Sequence, residues 1–237
     1  MTLPPLLLPG QAAAPAGPAD MTMMYVLHHA FRRDVRDFAR TAEATSTSDR
    51  ERWTLLAQRW DLFTHELHQH HAKEDDVLWP LLLERVRAAS DVEAERVLHE
   101  MEAEHATLDP LLASVTSALQ ELASGGSEDV LGDLRDTLTE LRRVLGHHLG
   151  HEESAAIEIL QRHLGGDEWA ELERTRFRPR QSLSQARSFV PWALKGLPAG
   201  AEHRVLNLGG PPLRIVNAIS RRAFRAQEQE CFGFADE

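Results

Sequence analysis

Four histidines and three carboxylates crowd into the eleven residues His65-Glu66-Leu67-His68-Gln69-His70-His71-Ala72-Lys73-Glu74-Asp75, within a stretch whose apolar residues recur at helical spacing. Downstream, His147-His148-Leu149-Gly150-His151-Glu152-Glu153 echoes the pattern. His70 and Glu74 are four apart, as are His148 and Glu152, and on an α-helix such residues share a face with Cβ atoms roughly 5–6 Å apart. Each pair therefore presents an imidazole beside a carboxylate. Two such pairs on facing helices describe a metal site, so the chain is constrained to pack helices around a polar centre.

The flanking sequence supplies those helices. From Thr22 to about Ala44, Tyr25, Phe31, Val35 and Phe38 recur near helical spacing, and Thr45-Ser46-Thr47-Ser48 ends the run. A second helix is expected from Ser48 or Asp49 through Trp53, Leu56, Trp60, Phe63 and Leu67 to about Val86, with a kink or break at Pro80 just after the acidic cluster. Ser90-Asp91-Val92-Glu93 reads as a capping box, opening a third helix that passes Pro110 and closes at Gly125-Gly126. The fourth starts near Ser127, carries Leu131, Leu134, Leu138, Leu141, Leu145 and Leu149, and stops at Gly165-Gly166. The expectation is an all-α protein: an up-down-up-down four-helix bundle over residues 21–165, a disordered Pro/Ala-rich leader over 1–20, and a helical extension over 166–237.

Composition narrows the function. A chain of 237 residues that is 42% hydrophobic can bury a full core. Its single cysteine, Cys231, excludes an internal disulfide framework and a thiolate cluster, and suits a reducing cytoplasm. Residues 1–164 carry 15 basic and 28 acidic side chains, against a slightly positive balance in the remainder, which argues against nucleic-acid binding by the main domain. No stretch approaches the ~18 apolar residues of a membrane span. Leu3-Pro4-Pro5-Leu6-Leu7-Leu8-Pro9 lacks the charged n-region of a signal peptide, and its prolines interrupt any h-region. A cytoplasmic protein with neither nucleic acid nor membrane as partner is expected.

Twelve of the thirteen histidines lie between His28 and His163, and each expected helix has at least one: His28 or His29, the His65–His71 cluster, His99 or His105, and His147–His151. Imidazole and carboxylate ligation without thiolate suits iron, manganese or zinc. Burying so many of these groups without a cation would be costly.

In sum these residues resemble the hemerythrin-like, or HHE cation-binding, proteins. The resemblance rests on His28-His29-Ala30-Phe31-Arg32-Arg33, on His70-His71-Ala72-Lys73-Glu74-Asp75 with Leu78-Trp79-Pro80, on Glu104-His105, and on His148-Leu149-Gly150-His151-Glu152-Glu153, in that order. It implies His28, His70, His105 and His148 as terminal nitrogen ligands, with Glu74 and Glu152 as carboxylates bridging two irons. The family's oxygen carriers place two histidines four apart on the third helix, whereas Met101 stands one turn before His105 here. Their fourth-helix motif is also one residue longer and ends in aspartate. Either an open coordination position results, or His71, Glu102 or another nearby group fills the vacancy.

The remaining residues are read conservatively. Tyr25 is expected as a core aromatic with a satisfied hydroxyl, and Asp75, Asp76 and Glu153 as solvated charges in preference to groups that orient the imidazoles. Arg32 and Arg33 read as a solvated face, and Phe31, Trp60, Phe63 and Trp79 as core. The tail is expected to be helical over Glu168–Arg176, Leu183–Leu197 with an interruption at Pro191, and Leu213 to about Glu230, with a break at Arg178-Pro179-Arg180; it is expected to pack on the bundle or a partner and to cover the pocket mouth. The arginines from Arg174 to Arg180 read as ordinary salt-linked surface.

Three functions fit: a di-iron protein that binds, senses or detoxifies dioxygen, peroxide or nitric oxide; a di-iron oxidase or oxygenase acting on an organic substrate; or an iron- or oxygen-responsive interaction module. With no reductase motif in the chain, any electron donor is expected to be external.

Overall fold

The computed structural model describes residues 4–177 and 182–233, and every regular element among them is helical. Helix α1 spans Thr22–Ala44, α2 Arg50–Lys73, α3 Trp79–Ala88, α4 Val92–Ser124, α5 Glu128–His151 and α6 Ile157–His163. Side-chain caps fix three of the starts: Asp49 accepts from the Arg52 amide, Asp91 from Ala94 and Ser127 from Val130. The cap of α4 is thus Asp91 and not the expected Ser90, whose φ of 57° places it in the turn. Gly125 closes α4 with a φ of 106°, the left-handed conformation glycine adopts without a Cβ penalty.

Helix α1 packs on α2 and α5, and α4 packs on the same two, closing a ring of four. The α1 and α2 aromatics named from periodicity fill its core: Phe31, Phe38, Trp53, Trp60 and Phe63 are fully buried, with the Phe38 and Trp60 rings edge to face at 4.9 Å.

The expected irregularity near Pro80 takes the form of one π-turn, Glu74–Leu78, in which the Trp79 amide donates to the Glu74 carbonyl. Pro80 then sits in the first turn of α3, where its missing N–H costs least. Proline is not required for this device. A second π-turn at Glu152–Ala156, with the Ile157 amide donating to the Glu152 carbonyl, joins α5 to α6 without one.

The leader differs from the disordered segment expected. It has no regular structure over residues 4–20, but Leu8 and Ala19 are buried, the Ala19 amide and carbonyl pair with the Gln161 side chain at 2.9 Å, and Arg204 reaches the Pro4 carbonyl. Lack of periodicity marked an irregular backbone; the polar groups that tie it down come from residues far along the chain.

The tail comprises α7 (Gly166–Leu172), a further π-turn (Glu173–Phe177), α8 (Leu183–Leu194) and α9 (Ala199–Phe232). The expected break at Arg178-Pro179-Arg180 lies outside the described residues, and α8 runs through Pro191 to Leu194 without the interruption expected there. Helix α9 begins earlier than expected and bends at Gly210, whose φ of 63° and ψ of −161° are accessible essentially to glycine alone. Helix α8 rests on α1, and α9 on α1 and α2. Of the tail apolar residues, Trp192 is fully buried, whereas Ile215 and Ile219 are exposed. No helix among the described residues is long and apolar enough to cross a membrane.

A buried polar network fastens the tail. Asp34 accepts from Arg33, from Arg59 at 2.7 Å and from the Trp192 indole at 2.7 Å; Arg59 also pairs with Glu228 of α9. Lys195 bridges Glu228 and Asp37, and Arg33 donates to the Trp192 and Lys195 carbonyls. Arg33 is therefore part of the interior and not the solvated face expected. Burial raises the Asp34 carboxyl pKa, but the Arg33 and Arg59 charges outweigh it and hold the group at about 2. Arg59→Ala leaves Asp34 and Glu228 buried without their shared partner; urea unfolding is expected to show a loss of about 3–5 kcal/mol.

Candidate metal centre

Helices α1, α2, α4 and α5, with the two π-turns, aim imidazoles and carboxylates at one buried point. Glu74 and Glu152 each occupy the first position of a π-turn, and both are fully buried. The side chains fall into two groups whose candidate ligand atoms lie within 4.8 Å of one another: His28, His70, Glu74 and Glu152 in one, and His71, His105 and His148 in the other. His28 Nε2 lies 3.1 Å from Glu152 Oε2, and His70 Nε2 lies 3.2 Å from Glu74 Oε1. Glu74 also faces the second group, with its Oε2 3.6 Å from His105 Nε2.

All six residues carried over from the resemblance, His28, His70, Glu74, His105, His148 and Glu152, converge here. His71 joins them, its ring stacked on His105 at 3.9 Å and edge-on to His148 at 5.2 Å. Of the alternatives for the place left by Met101, the structure thus brings in His71, while Glu102 is exposed and Met101 lies wholly in the apolar core. His65, His68, His99 and His147 are exposed.

The outer nitrogens of three rings are held by carboxylates. His28 Nδ1 lies 2.9 Å from Glu153 Oε1, His105 Nδ1 2.8 Å from Asp75 Oδ1, and His148 Nδ1 3.0 Å from Glu104 Oε2. A carboxylate at Nδ1 keeps the proton there and turns the Nε2 lone pair inward, as metal-ligating histidines require. Asp75 and Glu153 are therefore orienting groups and not the solvated charges expected; Asp76 is exposed. Glu104, which sequence reasoning missed in this role, also accepts from His151 at 2.8 Å. Its signal was present as the Glu104-His105 pair, one turn from His148 only in three dimensions. Arg32 forks onto Glu153 at 2.6 and 2.9 Å, and the Ala12 amide adds a third donor at 2.7 Å.

The inner atoms tell a different story. Both oxygens of Glu74, both of Glu152, and Nε2 of His71, His105 and His148 are buried without hydrogen-bond partners. Seven inward-facing acceptors in one place are costly in a protein interior unless cations satisfy them, so the donor set fits bound metal. The protonation pattern agrees. Burial lowers His70 and His71 well below the ordinary imidazole pKa, helped by neighbouring histidines, leaving both neutral. Burial and then the Glu152 charge raise Glu74 well above the carboxylate range. For Glu152, burial is outweighed by His28, and the carboxyl falls to about 2; His28 itself is raised to about 9 because Glu152 and Glu153 outweigh its burial. Tyr25 is buried, but its hydroxyl has no partner, contrary to expectation, and burial followed by the Glu153 and Glu152 charges raises its pKa.

Fold and site together define an all-helical bundle protein with a buried histidine-carboxylate centre for metal cations. The hemerythrin HHE cation-binding domain description matches residues 14–166, about two thirds of the chain, and the chain belongs to that family. No curated protein and no solved structure matches it.

Metal content after reconstitution tests the donor assignment: Glu74→Ala and Glu152→Ala are each expected to lower the metal bound per chain, while exposed His68→Ala retains it. Full metal content in either glutamate variant would refute the assignment. Glu153→Ala, which frees the His28 ring, is expected to weaken metal affinity roughly 10–100-fold in chelator competition.

Proposed function

We propose that the protein is a cytoplasmic non-haem di-iron protein that handles dioxygen or a related small molecule such as peroxide or nitric oxide. The observation that carries this reading is the division of seven donors into two adjoining groups, with Glu74 facing both. Three imidazoles stand on one side and two on the other, which suits a pair of cations with unequal ligation. Two carboxylates can offset part of the charge of such a pair. Iron is preferred over zinc or manganese on family grounds. When bound, the iron pair supplies electrons and coordination positions for the small molecule.

The chain's contribution is positional. Glu153, Asp75 and Glu104 fix three imidazoles, and Phe31 packs on His70 with ring centroids 5.3 Å apart. Fully buried Leu67, Met101 and Leu149 keep the surroundings apolar and limit water. The buried single cysteine, Cys231, is consistent with a reducing compartment.

One observation favours oxidation of an organic substrate as a second reading. A cavity of about 410 Å³ between bundle and tail is lined in part by His70. This would make the protein an oxidoreductase served by an external electron donor.

Anaerobically iron-loaded protein, followed in the visible region as dioxygen is added and purged, tests both readings. Absorption that appears with dioxygen and vanishes on purging, at two irons per chain, is the expected result for binding or sensing. Continued dioxygen or peroxide consumption with a reductant supports the enzyme instead. No response to dioxygen, peroxide or nitric oxide refutes the proposal.

A further inference from the structure

The cavity beside His70 is built jointly by bundle and tail. Met24 and Leu27 of α1 form one wall, and Trp169, Phe189, Val205 and Leu213 of the tail close it from the other side. Its size falls within the range of small-molecule sites. The polar groups cluster on α2, where Glu66, Gln69, His70 and Lys73 fall on one helical stripe; Glu173 contributes a second carboxylate from the tail. This is the division such sites show: a mainly apolar lining with a few convergent polar groups that set orientation.

Charge selects among possible occupants. Glu66 opposes an anionic head group, Lys73 opposes a cationic one, and burial in this mainly apolar lining penalises either charge. A hydroxyl or carbonyl meets a donor or acceptor in either direction from Gln69, Lys73 or Glu66. The setting is also poorly solvated, since burial pushes the Glu66 carboxyl up to about 7 despite Lys73 nearby.

We propose that this cavity binds an uncharged, mainly apolar small molecule bearing one hydroxyl or carbonyl group, with that group at the α2 stripe beside His70. The binding stands on the cavity itself; only a role for the molecule as substrate rests on reading the centre as redox-active. The tail, by this account, confers the ligand selectivity that a bare bundle lacks.

Calorimetry on the full chain, metal-free and cobalt-loaded, with 1-octanol, octanoate and octylamine as probes tests the proposal. 1-Octanol is expected to bind at least tenfold more tightly than either charged analogue, in both forms, and to perturb the cobalt visible spectrum. Ala186→Trp places an indole at a half-buried lining position and is expected to weaken 1-octanol binding at least tenfold. Phe189→Ala, which enlarges the cavity, is expected to shift the preference toward longer alcohols and serves if the tryptophan variant does not fold. Absence of 1-octanol binding, equal binding of the charged analogues, or no effect in a folded cavity variant would overturn the proposal. A silent cobalt spectrum would overturn the placement beside His70. Because the metal-free form is assayed separately, failure of the dioxygen chemistry leaves these results readable.

Discussion

Two glutamates placed side by side in the dry middle of a helical bundle are the constraint from which the rest of the structure follows. Glu74 and Glu152 are wholly buried, and none of their four oxygens meets a hydrogen-bond donor of suitable geometry. Like charges at such a site raise each other's ionisation cost, and in the metal-free chain the burden is split: Glu152 is stabilised as the anion by His28, while Glu74 is driven toward the neutral acid. Bound cations would replace this compromise, with Glu74 and Glu152 as the residues to hold them. Metal binding should therefore be coupled to the stability of the bundle.

Around this pair the polar groups form successive layers toward the surface. Imidazoles surround the carboxylates; Glu153, Asp75 and Glu104 grip the imidazoles from behind; Arg32 and the Ala12 amide hold Glu153 in turn, and His151 holds Glu104. The outer layers hold the imidazoles in place, so the orientation of His28 depends in part on a backbone amide in the leader. The π-turns that begin at Glu74 and Glu152 belong to the same design. Each widens the helix by one residue at the carboxylate that faces the centre, as such bulges often do at functional sites.

The tail adds a second polar system, separate from the first. Asp34, Arg33, Arg59, Glu228, Lys195 and Asp37 combine three cations with three anions, so burial leaves no net charge in the joint. Trp192 links the two systems mechanically: its indole donates to Asp34 while its ring packs against Phe31, which in turn packs on His70. Docking of the tail and the setting of one metal-centre imidazole thus share a chain of packed aromatic rings.

The helices of residues 22–164 were legible in the sequence because their determinants are local: apolar spacing, Asp and Ser caps, and glycine stops act within a few residues. The His70/Glu74 and His148/Glu152 pairs were legible for a related reason, since four-residue spacing fixes a common face before any tertiary contact exists, whereas His28 and His105 were drawn from the family resemblance. The sequence alone left His71 as one option among several. Adjacent helical residues point roughly 100° apart, and only the arrival of His105 and His148 from α4 and α5 gives His71 a place in the centre. The same holds for Glu104, Asp75, Glu153, Arg32, Arg33 and the leader. Each was assigned to solvent or passed over, because a charged residue reveals by itself nothing about a partner dozens of residues away. Local chemistry decided which helices form and which faces carry ligands; the meeting of distant surfaces decided which nitrogen lone pairs point inward, which charges are buried, and where the tail encloses a cavity.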